Sequence, residues 1–260
     1  MVRENTPERT SIGATERSFA ILEKLSEDDG AGISELAENL GLSKSTVYNH
    51  LQTLTQLGYV IQDGEEYRIG LQFLSFGDQA RQRHKLYHVA KPETDSLVEE
   101  VGERAQVMVE EHGKGVYIYQ TLADQGVKTD SHIGTVVNLH ATAVGKAYLA
   151  HLPADQREAI LDQIRLQQLT PQTVDNMDSL RQELEDVAED GYALNDEERT
   201  VGMRAVGAPV ISDDGELLGS ISVSGPKTRM NDSWFREDVP EIVRQSARII
   251  GIKATYPHPR

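Results

Sequence analysis

The side chains best placed for chemistry in this sequence are His140, Thr142 and Lys146, followed downstream by the acidic run Asp196-Glu197-Glu198. A histidine, a hydroxyl and paired carboxylates are the parts of general acid–base catalysis. The same residues also fit a plainer use, with His140 ordering a loop, Lys146 on a helix surface and the acidic run a solvated turn. The chain contains no Gly-x-Ser-x-Gly nucleophile elbow. It has no Walker-type phosphate loop and no glycine-rich dinucleotide fingerprint. The plainer use is therefore preferred, and the chain is read as a non-enzyme that needs no cofactor. His84 and His88 have the i, i+4 spacing that sets two metal ligands on one helix face. No carboxylate completes a triad beside them, and Arg81, Arg83 and Lys85 surround them. That stretch reads as a basic hinge able to brush a phosphate backbone rather than as a metal site.

A different chemistry is written at Ser34–Leu54. Two short helical patterns flank Gly41, the turn geometry of a helix-turn-helix. Ser43 is a good N-cap for the second helix. At about 100° per residue, Val47, Leu51 and Leu54 fall on one face of it, and Ser45, Asn49, Gln52 and Gln56 on the other, flanked by Tyr48 and Thr46. Uncharged amides and hydroxyls on an exposed helix face can read base edges, Asn and Gln being suited to adenine. Lys44 and the helix N-terminus suit a phosphate. Tyr59-Val60-Ile61 and Tyr67-Arg68-Ile69 around Asp63-Gly64 read as a wing hairpin, with Arg68 a further phosphate contact. The expected DNA-binding residues are thus Lys44, Ser45, Thr46, Tyr48, Asn49, Gln52 and Arg68. His50 reads as a packing residue, and Arg17 in the first helix as a weak phosphate candidate.

The elements that must position these groups follow from periodicity. A first helix from Thr15 carries Phe19, Leu22 and Leu25, and helices follow at Ser34 and Ser43. A connecting helix covers 71–83 and another 86–101. Beyond Gly102 strands are expected at 105–110, 116–119, 127–133, 192–194, 205–211 and 217–223. Helices are expected at 142–152, 154–163, 177–189 and 236–250. The fold class is α+β: an N-terminal winged helix-turn-helix, a linker helix and a mixed α/β domain with an antiparallel sheet. The expected divisions are a flexible start (1–14), the winged unit (15–70), the linker (71–85), the second domain (86–254) and a tail (255–260).

Charge constrains the reading. The 260 residues carry 26 Lys and Arg against 42 Asp and Glu, a net of −16. Residues 1–80 alone hold six basic and thirteen acidic residues, a net of −7. Such a unit repels a phosphate backbone at ordinary ionic strength. Either the chain does not bind DNA, or it works in very high salt, where repulsion is screened within a few ångströms. The acid-rich composition fits the second. No run approaches a membrane span and the polar start is not a secretory signal, so a cytoplasmic protein is expected. Without cysteine there is no disulfide framework and no thiolate site.

The motifs together resemble the isocitrate-lyase-regulator (IclR) family of transcription factors. Ser45-Thr-Val-Tyr, the Leu51…Leu54…Leu57-Gly-Tyr spacing and the wing carry the N-terminal likeness. Three segments carry the rest: His140-Ala-Thr-Ala-Val-Gly-Lys-Ala-Tyr-Leu-Ala150, Asn195-Asp-Glu-Glu-Arg-Thr-Val-Gly-Met-Arg-Ala-Val-Gly-Ala-Pro209, and Ser220-Ile-Ser-Val-Ser-Gly-Pro226. The resemblance implies a DNA-binding regulator with a GAF-like effector-binding domain. It also implies homodimers or tetramers on promoter-proximal duplex DNA, with the metabolite signal reaching the recognition helices through the linker. The pocket residues it implies are Ala143, Val144, Asn195, Met203, Ala205, Ser222 and Ser224. Small residues there leave room, the serines can donate, and a helix start near Thr142 can meet a carboxylate. A small organic acid or sugar-derived metabolite is the expected ligand. Asn49 stands where many relatives carry arginine, Asn195 where they often carry aspartate, and Ala205 where some carry cysteine. Neither operator nor ligand is therefore carried over. The alternative is a metabolite-binding or enzymatic domain whose helical unit only mediates protein contacts.

Overall fold

The computed structural model describes residues 11–256. Residues 1–10 and 257–260, most of the expected flexible start and tail, lie outside that range. The chain divides into two compact units, one ending at Ala80 and one beginning at Arg81.

In the first unit, α1 (Gly13–Glu27), α2 (Ile33–Leu40) and α3 (Lys44–Gln56) surround a core of Ile21, Leu25, Leu36, Val47 and Leu51. Phe19, expected in this core, is 57% exposed; Ile21 is fully buried in its place. Gly41 ends α2 at φ +63°, a left-handed cap that only glycine adopts without cost. The wing is a three-stranded antiparallel sheet in the order β1 (Ala31–Gly32), β3 (Glu66–Ile69), β2 (Val60–Asp63). The two-residue β1 was not foreseen, being too short to show a period-2 pattern. α4 (Phe73–Gln82) follows, two residues later than expected, with Tyr59 against Phe73 at 5.0 Å between ring centroids.

The second unit is built on one six-stranded antiparallel sheet. Its strands are β4 (Arg104–Glu111), β5 (Lys114–Leu122), β6 (Val136–Val137), β7 (Ala193–Asp196), β8 (Met203–Ile211) and β9 (Leu217–Pro226), in spatial order β6-β5-β4-β9-β8-β7. Successive side chains on a strand point to opposite faces, and each face is covered by helices. Ala105, Val107, Val206, Ala208, Ile221 and Val223 pack with residues of α5 (Lys85–Val101) and α9 (Val239–Thr255). Met108 and Tyr117 pack on the other face with Ala143, Val144 and Ala147 of α6 (Ala143–His151) and with Leu180 and Leu184 of α8 (Met177–Asp190). α7 (Ala154–Leu161) joins α6 to the chain leading into α8.

The expected strand at 127–133 is absent. That segment is irregular, and its polar groups bond to side chains of the sheet instead of to a neighbouring strand. The last helix is longer than expected, and a π-helical turn at Trp234–Asp238 leads into it. Among the described residues no helix is long and apolar enough to cross a membrane.

Candidate functional site

The exposed face of α3 is built by its own N-cap. Ser43 accepts from the Thr46 amide at 3.1 Å, and its hydroxyl also meets those of Ser45 (2.9 Å) and Thr46 (2.8 Å). The side-chain bond satisfies one of the amides left free at a helix start. With Val47, Leu51 and Leu54 buried, Lys44, Ser45, Tyr48, Asn49 and Gln52 are exposed and Thr46 is half-buried. The Asn49 and Gln52 side chains make no hydrogen bond within the described chain, so their amides are available to a partner. His50 does pack inward, its Nδ1 2.8 Å from Ser18 Oγ.

Arg68 is separate from this face. It lies on β3, its stem over Gly30, where a Cβ would meet Arg68 Cγ at 2.9 Å. Gly30 has φ +120°, so a side chain there is excluded on both counts. Arg68 donates to Glu66 at 3.1 Å, and Asp29 and Asp63 add to the negative field around it. The wing tip Asp63-Gly64-Glu65-Glu66 is wholly exposed and acidic.

In the second unit all seven expected pocket residues line one cavity: Ala143, Val144, Asn195, Met203, Ala205, Ser222 and Ser224. Pairing of β9 with β4 and β8 sets Ser222 beside Gln106 and Gly207, and Ser224 beside Arg104 and Ala205. The start of α6 forms the opposite wall. Thr142 caps it, its hydroxyl accepting from the Gly145 amide at 3.2 Å. The helix approaches this closely because β8 carries Gly207, where a Cβ would lie 2.6 Å from the Ala143 carbonyl. Ser220, further along β9, fixes the helix by donating to the Val144 carbonyl at 2.7 Å.

The seven do not have equal freedom. Asn195 donates to the Ala141 carbonyl at 2.9 Å and accepts from the Glu198 amide at 3.3 Å, so both its polar ends brace the chain. Ser224 donates to Gln106 Oε1 at 3.3 Å. Ser222 Oγ makes no hydrogen bond within the described chain.

Further wall residues escaped the sequence reading: Arg104, Gln106, Tyr117, Thr129, Ser131 and Arg199 among them. Arg104 and Gln106 carry no motif. Only the alternation of β4, with Ala105 and Val107 turned to the other face, could have pointed to them. The cavity encloses about 50 Å³. That is room for a few waters, whereas metabolite pockets run to several hundred Å³. A larger ligand must displace wall groups.

The acid–base candidates resolve structurally. Lys146 is not on a surface: its side chain is fully buried, 2.7 Å from Glu198 and bonded also to Glu183. Nor is the acidic run a free turn. Asp196 takes a two-point contact from Arg204 at 2.9 and 3.0 Å, and Glu197 pairs with Lys227. These partners hold both carboxyls below the usual range. His140 does order a loop, its Nε2 donating to the Gln167 carbonyl at 3.1 Å, and burial lowers its pKa. In the basic hinge, His88 Nε2 is bonded to the Gln82 carbonyl at 3.0 Å.

Comparisons with known proteins agree with the architecture. The chain matches the IclR helix-turn-helix domain over residues 14–64 and the bacterial transcriptional regulator IclR C-terminal domain over residues 78–252. A protein described as a probable HTH-type transcriptional regulator, ArcR, of Halobacterium salinarum is 32% identical over 253 residues, spanning 96% of each chain. The HTH-type transcriptional regulator KdgR of Escherichia coli is 31% identical over 95% of this chain and 94% of its own. Among solved structures, the Thermotoga maritima IclR superposes with a TM-score of 0.78 at 26% identity, covering 95% of this chain and 100% of that one. An IclR homologue from Microbacterium hydrocarbonoxydans complexed with 4-hydroxybenzoate shares the fold at a TM-score of 0.77 and 21% identity, covering 93% of this chain and 98% of that one.

Proposed function

Because the chain belongs to the IclR family of DNA-binding transcription regulators, in which a C-terminal domain senses a small metabolite, we propose that α3 reads promoter-proximal DNA and that the α6–β8–β9 cavity receives the effector. The observation that carries the first half is the exposed, unpaired Asn49 and Gln52 on a helix whose opposite face is buried. Their amides suit adenine edges; Ser45, Thr46 and Tyr48 complete the face, with Lys44 at its phosphate end. Arg68 reaches a phosphate only by leaving Glu66.

The effector is a small organic metabolite, an organic acid or a sugar-derived compound. The convergence of Ser222, Ser224 and the α6 N-terminus on one cavity supports this reading. The protein works in the cytoplasm at high salt: its net charge of −16 and a relative from Halobacterium salinarum support that setting. It acts as a homodimer or tetramer. Phe19, Leu57, Leu71, Leu74 and Phe76 of the first unit are each more than half exposed, the apolar surface expected where a second copy packs.

A gel shift with the gene's own upstream DNA in molar KCl tests the proposal. A sequence-specific complex that changes when a metabolite is added is expected. No specific complex under any ligand condition would leave only the alternative, a sensor whose helical unit contacts proteins.

A further inference from the structure

Three arginines and no carboxylate line the cavity, in a chain of 42 acidic residues. Two of the arginines are paired. Arg204 is held by Asp196 and by Asp232 at 2.6 Å, and Arg199 lies 3.5 Å from Asp130. Arg104 differs. It is 95% buried at the head of β4, yet no ion pair to it exists among the described residues. Its guanidinium donates only to neutral oxygens: Nη1 to the Thr129 hydroxyl and to Ser131 Oγ (3.1 Å), and Nη2 to the Val127 carbonyl (2.8 Å). Its Nε is buried with no acceptor.

A buried cation with no carboxylate in contact is costly. Burial lowers the Arg104 pKa and outweighs the charge of Asp130, which pairs with Arg199 and favours the Arg104 cation only from a distance. Folded chains carry such a charge where something else supplies its partner. Guanidinium is the side chain best shaped for a two-point grip on a carboxylate; here Nε–H is unengaged and Nη2, with two hydrogens, has a single acceptor. The neighbouring groups are neutral and can share the load. Gln106 Nε2 donates to Ser131 Oγ at 3.1 Å, and Ser222 Oγ faces the same space.

We propose that Arg104 is the anion-binding residue of the effector site and that the effector is a small carboxylate. This rests on the reading of the cavity as the effector site. The carboxylate pairs with the free edge of the guanidinium, while the uncharged remainder meets Ser222 and the start of α6. Because the cavity is small, entry also displaces polar groups of segment 127–131 from Arg104.

The test compares the full-length protein with Arg104→Met and Arg104→Lys by thermal unfolding and calorimetry at constant molar ionic strength. The probes are potassium pyruvate and 4-hydroxybenzoate, with their uncharged amides, pyruvamide and 4-hydroxybenzamide, as controls. At least one acid should raise the melting temperature of the unsubstituted protein saturably and bind about tenfold or more tightly than its amide. Arg104→Met should melt at the same or a higher temperature without additive and lose the preference for the acid. Arg104→Lys should keep the preference at weaker affinity. A purely structural Arg104 would instead give a lower melting temperature in Arg104→Met with acid binding intact. That result, equal binding of acid and amide, or no stabilisation by either acid would overturn the proposal. If carboxylate binding behaves as expected but no specific DNA complex forms, the regulator reading fails and this one stands.

Discussion

Lys146 Nζ lies 2.7 Å from Glu198 Oε1 with the lysine side chain wholly inside the protein, joining α6 to the segment after β7. Glu183 of α8 supplies a second carboxylate to the same ammonium, so one cation serves two acids. Burial raises the Glu198 pKa, and its Oε2 has no partner. The triad fixes the helix that walls the cavity.

Removing the shared cation should therefore cost far more than removing one acid. Lys146→Met leaves two carboxylates facing each other and should lower stability by about 3–5 kcal/mol. Glu183→Gln, at a group one-third exposed, should cost less than half of that. Denaturant titration of both variants measures the difference; equal losses would show that the pairing is not the source of the stability.

Acid should weaken the second unit through the buried imidazole of His140 and the half-buried one of His151. Burial lowers the pKa of His140 and His151 below the free value of 6.5. The native state therefore binds fewer protons than the unfolded chain just below that value. The stability these groups contribute is complete above pH 6.5 and is lost as pH falls through their native pKa values. His140→Gln keeps a donor for the Gln167 carbonyl and should flatten the decline. A melting-temperature profile unchanged by the substitution would assign the acid sensitivity elsewhere.

On α3, structure and recognition separate by residue. Ser43→Ala removes the N-cap and should cost about 1 kcal/mol of stability in the first unit. Asn49→Ala should leave stability unchanged but narrow the gap between operator and mutated operator by about 1–3 kcal/mol. Paired unfolding and DNA-titration curves check both, and a specificity gap untouched by Asn49→Ala would reassign the reading face.

Salt dependence should be shallow. If Lys44 and an Arg68 released from Glu66 supply the proposed phosphate contacts, the slope of log affinity against log salt should be about −2 per half-site. Titration from low to molar KCl measures it; a much steeper slope would reveal basic contacts outside the winged unit.

The winged unit was legible because its signals are local: Gly41, the Ser43 cap and the Val47-Leu51-Leu54 stripe each act within a turn or two of helix. The seven cavity residues were nameable through motifs, although Asn195 proves to brace the chain at both polar ends. Arg104, Gln106 and Ser131 were not legible, because strand pairing over long separations, such as Arg104 opposite Ser224, brings them together. Lys146 misled for the same reason, since its partners lie 37 and 52 residues away. Segment 127–133, expected as a strand, is irregular because its polar groups are taken by side chains of the sheet. Phe19 has helical spacing with Leu22 and Leu25, yet Ile21 fills the core and leaves the aromatic outside.

Fluorescence anisotropy in molar KCl most directly tests whether this chain is a metabolite-responsive, sequence-reading regulator. A labelled duplex from its own upstream region is titrated against a scrambled duplex of equal composition, with and without a stabilising carboxylate. The upstream duplex should bind about a thousandfold or more tightly than the scrambled one, and the carboxylate should change that affinity alone. Equal affinity for the two duplexes, with or without carboxylate, would contradict it.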